Sequence, residues 1–211
     1  MKTDELIFRL ASGAGPTKKL EIGRDLTLVV CAGLILCSVL SLGVRGLVPE
    51  AMWTGAALWT KLFYTLALAA CSAWLFHLLA FPGKRIVPAF RAALLVALLM
   101  ALAGALSVFS VPPEERLTAL MGKTALICPW VIPLLSLPTL GALFHLMKRF
   151  APTELRWVGM VSGLLAGSVG AAGYALSCVE QSISFVAVWY SVGILLSAGL
   201  GAVLGPRFLR W

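Results

Sequence analysis

Five cysteines carry the sharpest chemistry in this 211-residue chain, and no two of them form a C-x-x-C pair. Cys31, Cys37 and Cys71 lie inside long apolar runs, where a thiol usually acts as a small hydrophobe. Cys128 and Cys178 differ, because each stands at the boundary of an apolar run. They are far apart in sequence and can meet only if the fold brings two boundaries together. Two thiols at one water-exposed rim can oxidise to a disulfide. They can also bind a soft metal as thiolates, with Glu180 or Glu114 as candidate extra ligands. His77 and His145 sit at other boundaries and read as interfacial anchors rather than as partners of that pair.

The elements that must position these residues follow from composition. AVILMFWYC make up 60% of the chain, 20 residues are glycine, and only 12% are charged. Mean hydropathy is +0.97. A soluble globular domain carries about twice that share of charge. A soluble enzyme, a disordered regulator and a secreted disulfide scaffold are excluded. Windows free of Asp, Glu, Lys and Arg are Leu26–Val44, Leu62–Gly83, Ala92–Pro113, Thr124–Met147, Trp157–Val179 and Gln181–Pro206. Each has roughly the 20 residues a helix needs to cross a bilayer core. The expectation is an all-α polytopic membrane protein, a bundle of six transmembrane helices. The division is a tail over 1–25, a membrane domain over 26–206 and a short end over 207–211. The first apolar run reads as a retained span, being too long for a signal-peptide core. No segment outside the windows is long enough to bury a core of its own.

Of the 17 Lys and Arg, all but Arg45, Lys61, Arg116 and Lys123 fall on one side of this topology. The bias places both termini in the cytoplasm, as an even number of spans also requires. Cys128 and Cys178 then share the outer side, where disulfides persist if the membrane is a bacterial inner membrane. The basic residues are dispersed, with no aromatic-laced patch for nucleic acid. Within the tail, Thr3 can cap a helix whose first turn holds Asp4 and Glu5. Leu6, Ile7 and Leu10 share one face, and Ser12-Gly13-Ala14-Gly15-Pro16 ends it. That apolar face needs a cover, either a partner protein or the membrane surface beside Lys18 and Lys19.

Small residues recur at packing spacing: Gly163, Gly167, Gly170 and Gly173; Ser197, Gly201 and Gly205; Gly33, Cys37 and Ser41. Such faces let helices approach closely, within one bundle or between two copies in a homodimer. Pro129, Pro133 and Pro138 predict a kinked or irregular fourth span. The windows hold no Asp, Glu, Lys or Arg, and Lys61 and Glu180 read as outer-edge residues within reach of water. That absence argues against a proton relay or ion-coupled transport. A thiol oxidoreductase feeding a quinone, a small polar-lined transporter and a membrane scaffold remain as alternative functions.

The opening Met1-Lys2-Thr3-Asp4-Glu5-Leu6-Ile7, followed by Pro16 and basic residues, resembles the start of the NrsF family, negative regulators of sigma F. The resemblance continues at Cys128-Pro129, at Cys178 with Glu180, and at Val188-Trp189-Tyr190-Ser191-Val192-Gly193. One departure is Val179, which stands where the family pattern has proline before the acidic residue. The resemblance implies a six-span anti-sigma factor of the bacterial inner membrane, not an enzyme, whose partner is an extracytoplasmic-function sigma factor. It assigns the response to heavy metal or oxidant to Cys128 and Cys178, with Glu180 as a candidate auxiliary ligand. It makes the tail residues Thr3, Asp4, Glu5, Leu6, Ile7 and Leu10 the sigma-binding candidates. No resident cofactor is implied, only a transient heavy-metal ion at the cysteine pair. The lipid bilayer is the other partner.

Overall fold

The computed structural model describes residues 21–53, 55–81, 83–150 and 152–210, with Thr3, Glu5, Ile7, Phe8 and Ser12. The described residues form helices and connections, with no strand among them. Six helices are long and apolar enough to cross a membrane. They are α1 (Ile22–Arg45), α2 (Ala56–Leu79), α3 (Val87–Phe109), α5 (Cys128–Lys148), α6 (Leu155–Ala175) and α7 (Ile183–Phe208). Between α3 and α5 lies α4 (Arg116–Met121), a short helix with no buried residue. This is a membrane protein built as a single helical bundle.

Helix α6 is the axis. It packs against α1, α2, α5 and α7, and 89% of its apolar window is buried, against 17% for α1 and α3. Its glycines make that possible. A methyl group at Gly163 would strike the Ser197 carbonyl and lie 2.8 Å from the Ala198 Cα. One at Gly173 would lie 2.8 Å from the Cys37 carbonyl carbon. Gly201 returns the contact onto Gly163 from α7. The small faces expected from sequence therefore pack against each other inside one chain.

Four of the six spans start earlier than their charge-free windows. Helix α3 begins at Val87 and carries Arg91, and α2 begins at Ala56 and carries Lys61. A charge in an early turn does not end a membrane helix when its side chain can snorkel to the interface or find a buried partner. Helix α1 has Asp25 in its first turn and Arg45 in its last, both favourable to the helix dipole. It stops at Gly46, whose φ of 75° suits glycine.

Helix α5 runs unbroken through Pro133 and Pro138, with Pro129 in its first turn. The irregular helix is α7, which opens on one α-turn, Ile183–Phe185, capped by Ser182. It then passes through a π-turn at Val186–Tyr190. Insertions of this kind concentrate at functional sites.

Contacts between elements sort the helix ends into two groups. Arg45, Lys61, Tyr174 and Cys178 meet at one end. Asp25 and Arg149 pair at 3.5 Å at the other, where Phe81 also meets Phe150.

Candidate functional site

The cysteine end holds a cluster of polar side chains enclosed by the bundle. Cys128, the first residue of α5, is 0% exposed, and Cys178, in the connection after α6, is 1% exposed. Both are free thiols and neighbours of one another. The fold therefore brings the two sequence-distant cysteines together. It also corrects the expected setting: they lie beneath the surface of the rim, not in water. At that burial a reagent reaches them only when the surrounding packing loosens.

Four elements position the pair. The Cys128 Sγ lies 3.3 Å from the Thr124 hydroxyl one turn earlier and 3.2 Å from the Tyr174 hydroxyl on α6. The Arg45 guanidinium, on the last residue of α1, donates to that same hydroxyl at 3.2 Å and lies 5.7 Å from its ring centroid. Lys61 on α2 is 1% exposed and donates from Nζ to the Cys178 carbonyl at 2.8 Å. Tyr190, from the π-turn of α7, is fully buried with its ring 6.0 Å from Tyr174. Its hydroxyl makes no hydrogen bond of ordinary length and faces Cys178.

Glu180 is 8% exposed. Its Oε1 accepts from the Lys123 backbone N–H at 2.7 Å and from the Thr124 hydroxyl at 3.1 Å. Its other oxygen packs on Gly122, where Glu180 and Phe185 leave no room for a side chain and the φ of 52° favours glycine. Glu180 thus ties the connection that carries Cys178 to the turn that precedes Cys128. Lys61 and Glu180 were expected to reach water; both are instead enclosed and hydrogen-bonded. Among the described residues no three His, Cys, Asp or Glu side chains are placed to hold a metal ion together. A soft metal would find two thiols here.

The electrostatics separate the two thiols. Cys178, outside the spans, is held below the ordinary thiol value of about 8.5. The Cys128 thiol interacting with it is the largest cause, burial works against the shift, and the Lys61 ammonium adds to it.

The remaining cysteines are separate. Cys37 is buried and donates to the Leu135 carbonyl at 3.2 Å, while Cys31 is exposed. His145 is exposed at the opposite end, beside Lys148. Of the tail candidates, Thr3, Glu5 and Ile7 are helical and exposed, and so are Phe8 and Ser12. Ile7 is 59% and Phe8 75% exposed. Asp4, Leu6 and Leu10 lie outside the described residues.

Sequence reasoning missed Tyr174, Tyr190 and Arg45. Tyr174 and Tyr190 are two of only 3 tyrosines in a chain this apolar. That rarity was a usable signal, since a buried tyrosine hydroxyl usually has a polar partner.

A six-span helical membrane protein with an enclosed two-thiol cluster is the class these features define. The chain belongs to the NrsF family: the profile described as "Negative regulator of sigma F" matches residues 10–211. It is 36% identical to the "Probable anti-sigma-F factor NrsF" of Azospira oryzae, over the whole of both chains. It is 31% identical to the "Anti-sigma-F factor NrsF" of Caulobacter vibrioides, again over both full lengths. No solved structure matches it significantly.

Proposed function

We propose that this chain is a membrane-embedded anti-sigma factor of the bacterial inner membrane. Both termini lie in the cytoplasm, where the N-terminal segment holds an extracytoplasmic-function sigma factor away from RNA polymerase. The segregation of Lys and Arg supports the orientation. The exposed Ile7 and Phe8 supply an apolar surface for the sigma factor to cover. Release follows when a thiophilic metal ion or an oxidant joins Cys128 to Cys178. In the oxidative case an Sγ–Sγ bond forms, and two protons and two electrons pass to the oxidant.

The observation that carries this reading is the meeting of two sequence-distant thiols at the far end of α1, the helix that follows the N-terminal segment. Energetics agree. Moving a two-state switch from 1:99 to 99:1 takes about 5.5 kcal/mol of differential stabilisation. A covalent or two-thiolate bridge can supply that; one exposed ion pair, worth about 0–1 kcal/mol, cannot.

The test is purification of the full-length chain from its host in mild detergent, with mass spectrometry of what accompanies it. A sigma factor at near-stoichiometric yield, lost when residues 1–25 are deleted, is expected. Treatment with hydroperoxide or a thiophilic metal should then release it from the parent chain and not from the Cys128→Ser, Cys178→Ser double variant. Absence of any sigma factor refutes capture. Release from the double variant refutes the thiol trigger.

A further inference from the structure

We propose that Tyr174 is the positioning residue that carries the state of Cys128 to α1, and through α1 to the N-terminal segment. The inference rests on the reading of the two thiols as the sensor, and it names the output route of that site. Its basis is a chain of three side chains from three different elements. Arginine only donates hydrogen bonds, so at 3.2 Å the Arg45 guanidinium fills a lone pair of the Tyr174 oxygen. The phenolic hydrogen is then free to point at the Cys128 sulfur, also 3.2 Å away. Tyr174 is 0% exposed, so in the closed bundle neither bond competes with water.

Joining Cys128 to Cys178 changes both ends of that relay. A sulfur bonded to a second sulfur loses its proton and is drawn toward its new partner. The phenol keeps its hydrogen while the sulfur that accepted it moves off, in a site where an unpaired polar group is costly. Tyr174 must follow the sulfur or turn away, and Arg45 is held by both its hydroxyl and its ring.

The rest of α1 is fastened to the same short stretch of α6. The Ser41 hydroxyl donates to the Gly173 carbonyl at 2.9 Å and lies 3.0 Å from the Ser177 hydroxyl. Just beyond the helix, the Val48 N–H donates to the Leu176 carbonyl at 3.2 Å. Every one of these bonds lands between Gly173 and Ser177, immediately before Cys178. A displacement there moves one end of an unbroken 24-residue helix whose other end begins at Ile22. At that second end Asp25 meets Arg149 beyond α5. A shift of α1 along α5 alters this contact at the base of the N-terminal segment.

The experiment is hydrogen–deuterium exchange on the full-length chain in mild detergent, reduced and after hydroperoxide, for the parent chain and Tyr174→Phe. Peptide mapping without reductant scores the Cys128–Cys178 disulfide in parallel. In the parent chain, oxidation should change exchange over residues 1–30. In Tyr174→Phe the disulfide should form as before and that change should be lost. A role in packing alone would not separate the two readouts, because phenylalanine keeps the ring. Arg45→Gln, at an exposed position, breaks the relay on its other side and should give the same loss. It decides the matter if Tyr174→Phe does not fold. Oxidised variants that still show the parent's change overturn the relay and leave the sensor reading intact. A variant that no longer forms the disulfide overturns it too, by placing Tyr174 in the oxidation step. A parent chain that forms no disulfide removes the oxidant branch of the sensor reading and this inference together.

Discussion

Replacing Glu180 with alanine should make a Cys128–Cys178 disulfide easier to reduce, by about 60 mV. The carboxylate accepts from the Lys123 N–H at 2.7 Å and the Thr124 hydroxyl at 3.1 Å, and these bonds hold the two cysteine-bearing segments together. A hydrogen bond to a charged acceptor contributes about 1.5–3 kcal/mol. Lys123 is exposed, so the low end applies, and two bonds sum to about 3 kcal/mol. Losing them lowers the effective concentration of one sulfur at the other about a hundredfold, at about 1.4 kcal/mol per decade. For a two-electron couple about 30 mV corresponds to 1.4 kcal/mol, which gives the shift. Glu180→Gln keeps a carbonyl oxygen and loses the charge, so about half the shift, roughly 30 mV, should remain. The assay equilibrates the purified chain in dithiol–disulfide buffers, traps free thiols with a maleimide mass tag and reads the midpoint. A midpoint unchanged in Glu180→Ala refutes the positioning role. Equal shifts in the two variants would mean that the charge acts on the sulfurs directly.

Three further outcomes follow from the same geometry. Gly163→Ala should destabilise the bundle by about 1–3 kcal/mol through overpacking on Ser197 and Ala198. Gly199→Ala, with nothing within 4 Å, should leave thermal unfolding in detergent unchanged. The rate of Cys178 alkylation by iodoacetamide should rise with pH along a curve centred below the ordinary thiol value of about 8.5. Cys128→Ala removes the largest cause of that shift while burial stays, so the curve should move to higher pH and the rate at pH 7 should fall. The groups that face Cys178 besides Cys128 are Lys61, Tyr190, Tyr174 and the Glu180 backbone N–H, and none changes in that variant. Ile7→Asp with Phe8→Asp should weaken sigma capture more than tenfold in a binding titration. Each buried apolar side chain contributes about 1.5–3 kcal/mol, and about 1.4 kcal/mol is a factor of ten. Unchanged affinity would place the binding surface elsewhere.

Two expectations drawn from local sequence came out differently in the structure. Prolines in α5 suggested a kinked or irregular fourth span. That helix is unbroken, and the π-turn lies in α7, where Tyr190 turns in beside Tyr174. Lys61 and Glu180 were placed at the water's edge because a charge in a membrane protein is costly unless solvated or paired. The structure meets that cost with partners instead: a carbonyl for Lys61, a backbone N–H and a hydroxyl for Glu180. Which solution applies depends on what lies across the bundle, and neighbours along the chain do not record it.

Six spans, their approximate lengths, the helix-packing small residues and the two distinctive cysteines were all legible in the chain itself. Each rests on a one-dimensional property: a run of about 20 apolar residues, a spacing of four between small residues, or a thiol at the edge of a run. Family membership was legible for the same reason, since the likeness extends along residues 10–211. Tertiary structure alone decided that Cys128 and Cys178 are enclosed. It also decided that Lys61, Tyr174 and Tyr190 join them, and that α1 is fastened to the cluster through Arg45 and Ser41. Those contacts bridge helices remote in sequence, and their geometry is set by how closely α6 lets its neighbours approach. That approach comes from the absence of side chains at Gly163 and Gly173, a property whose consequence exists only once another helix is there to fill the space.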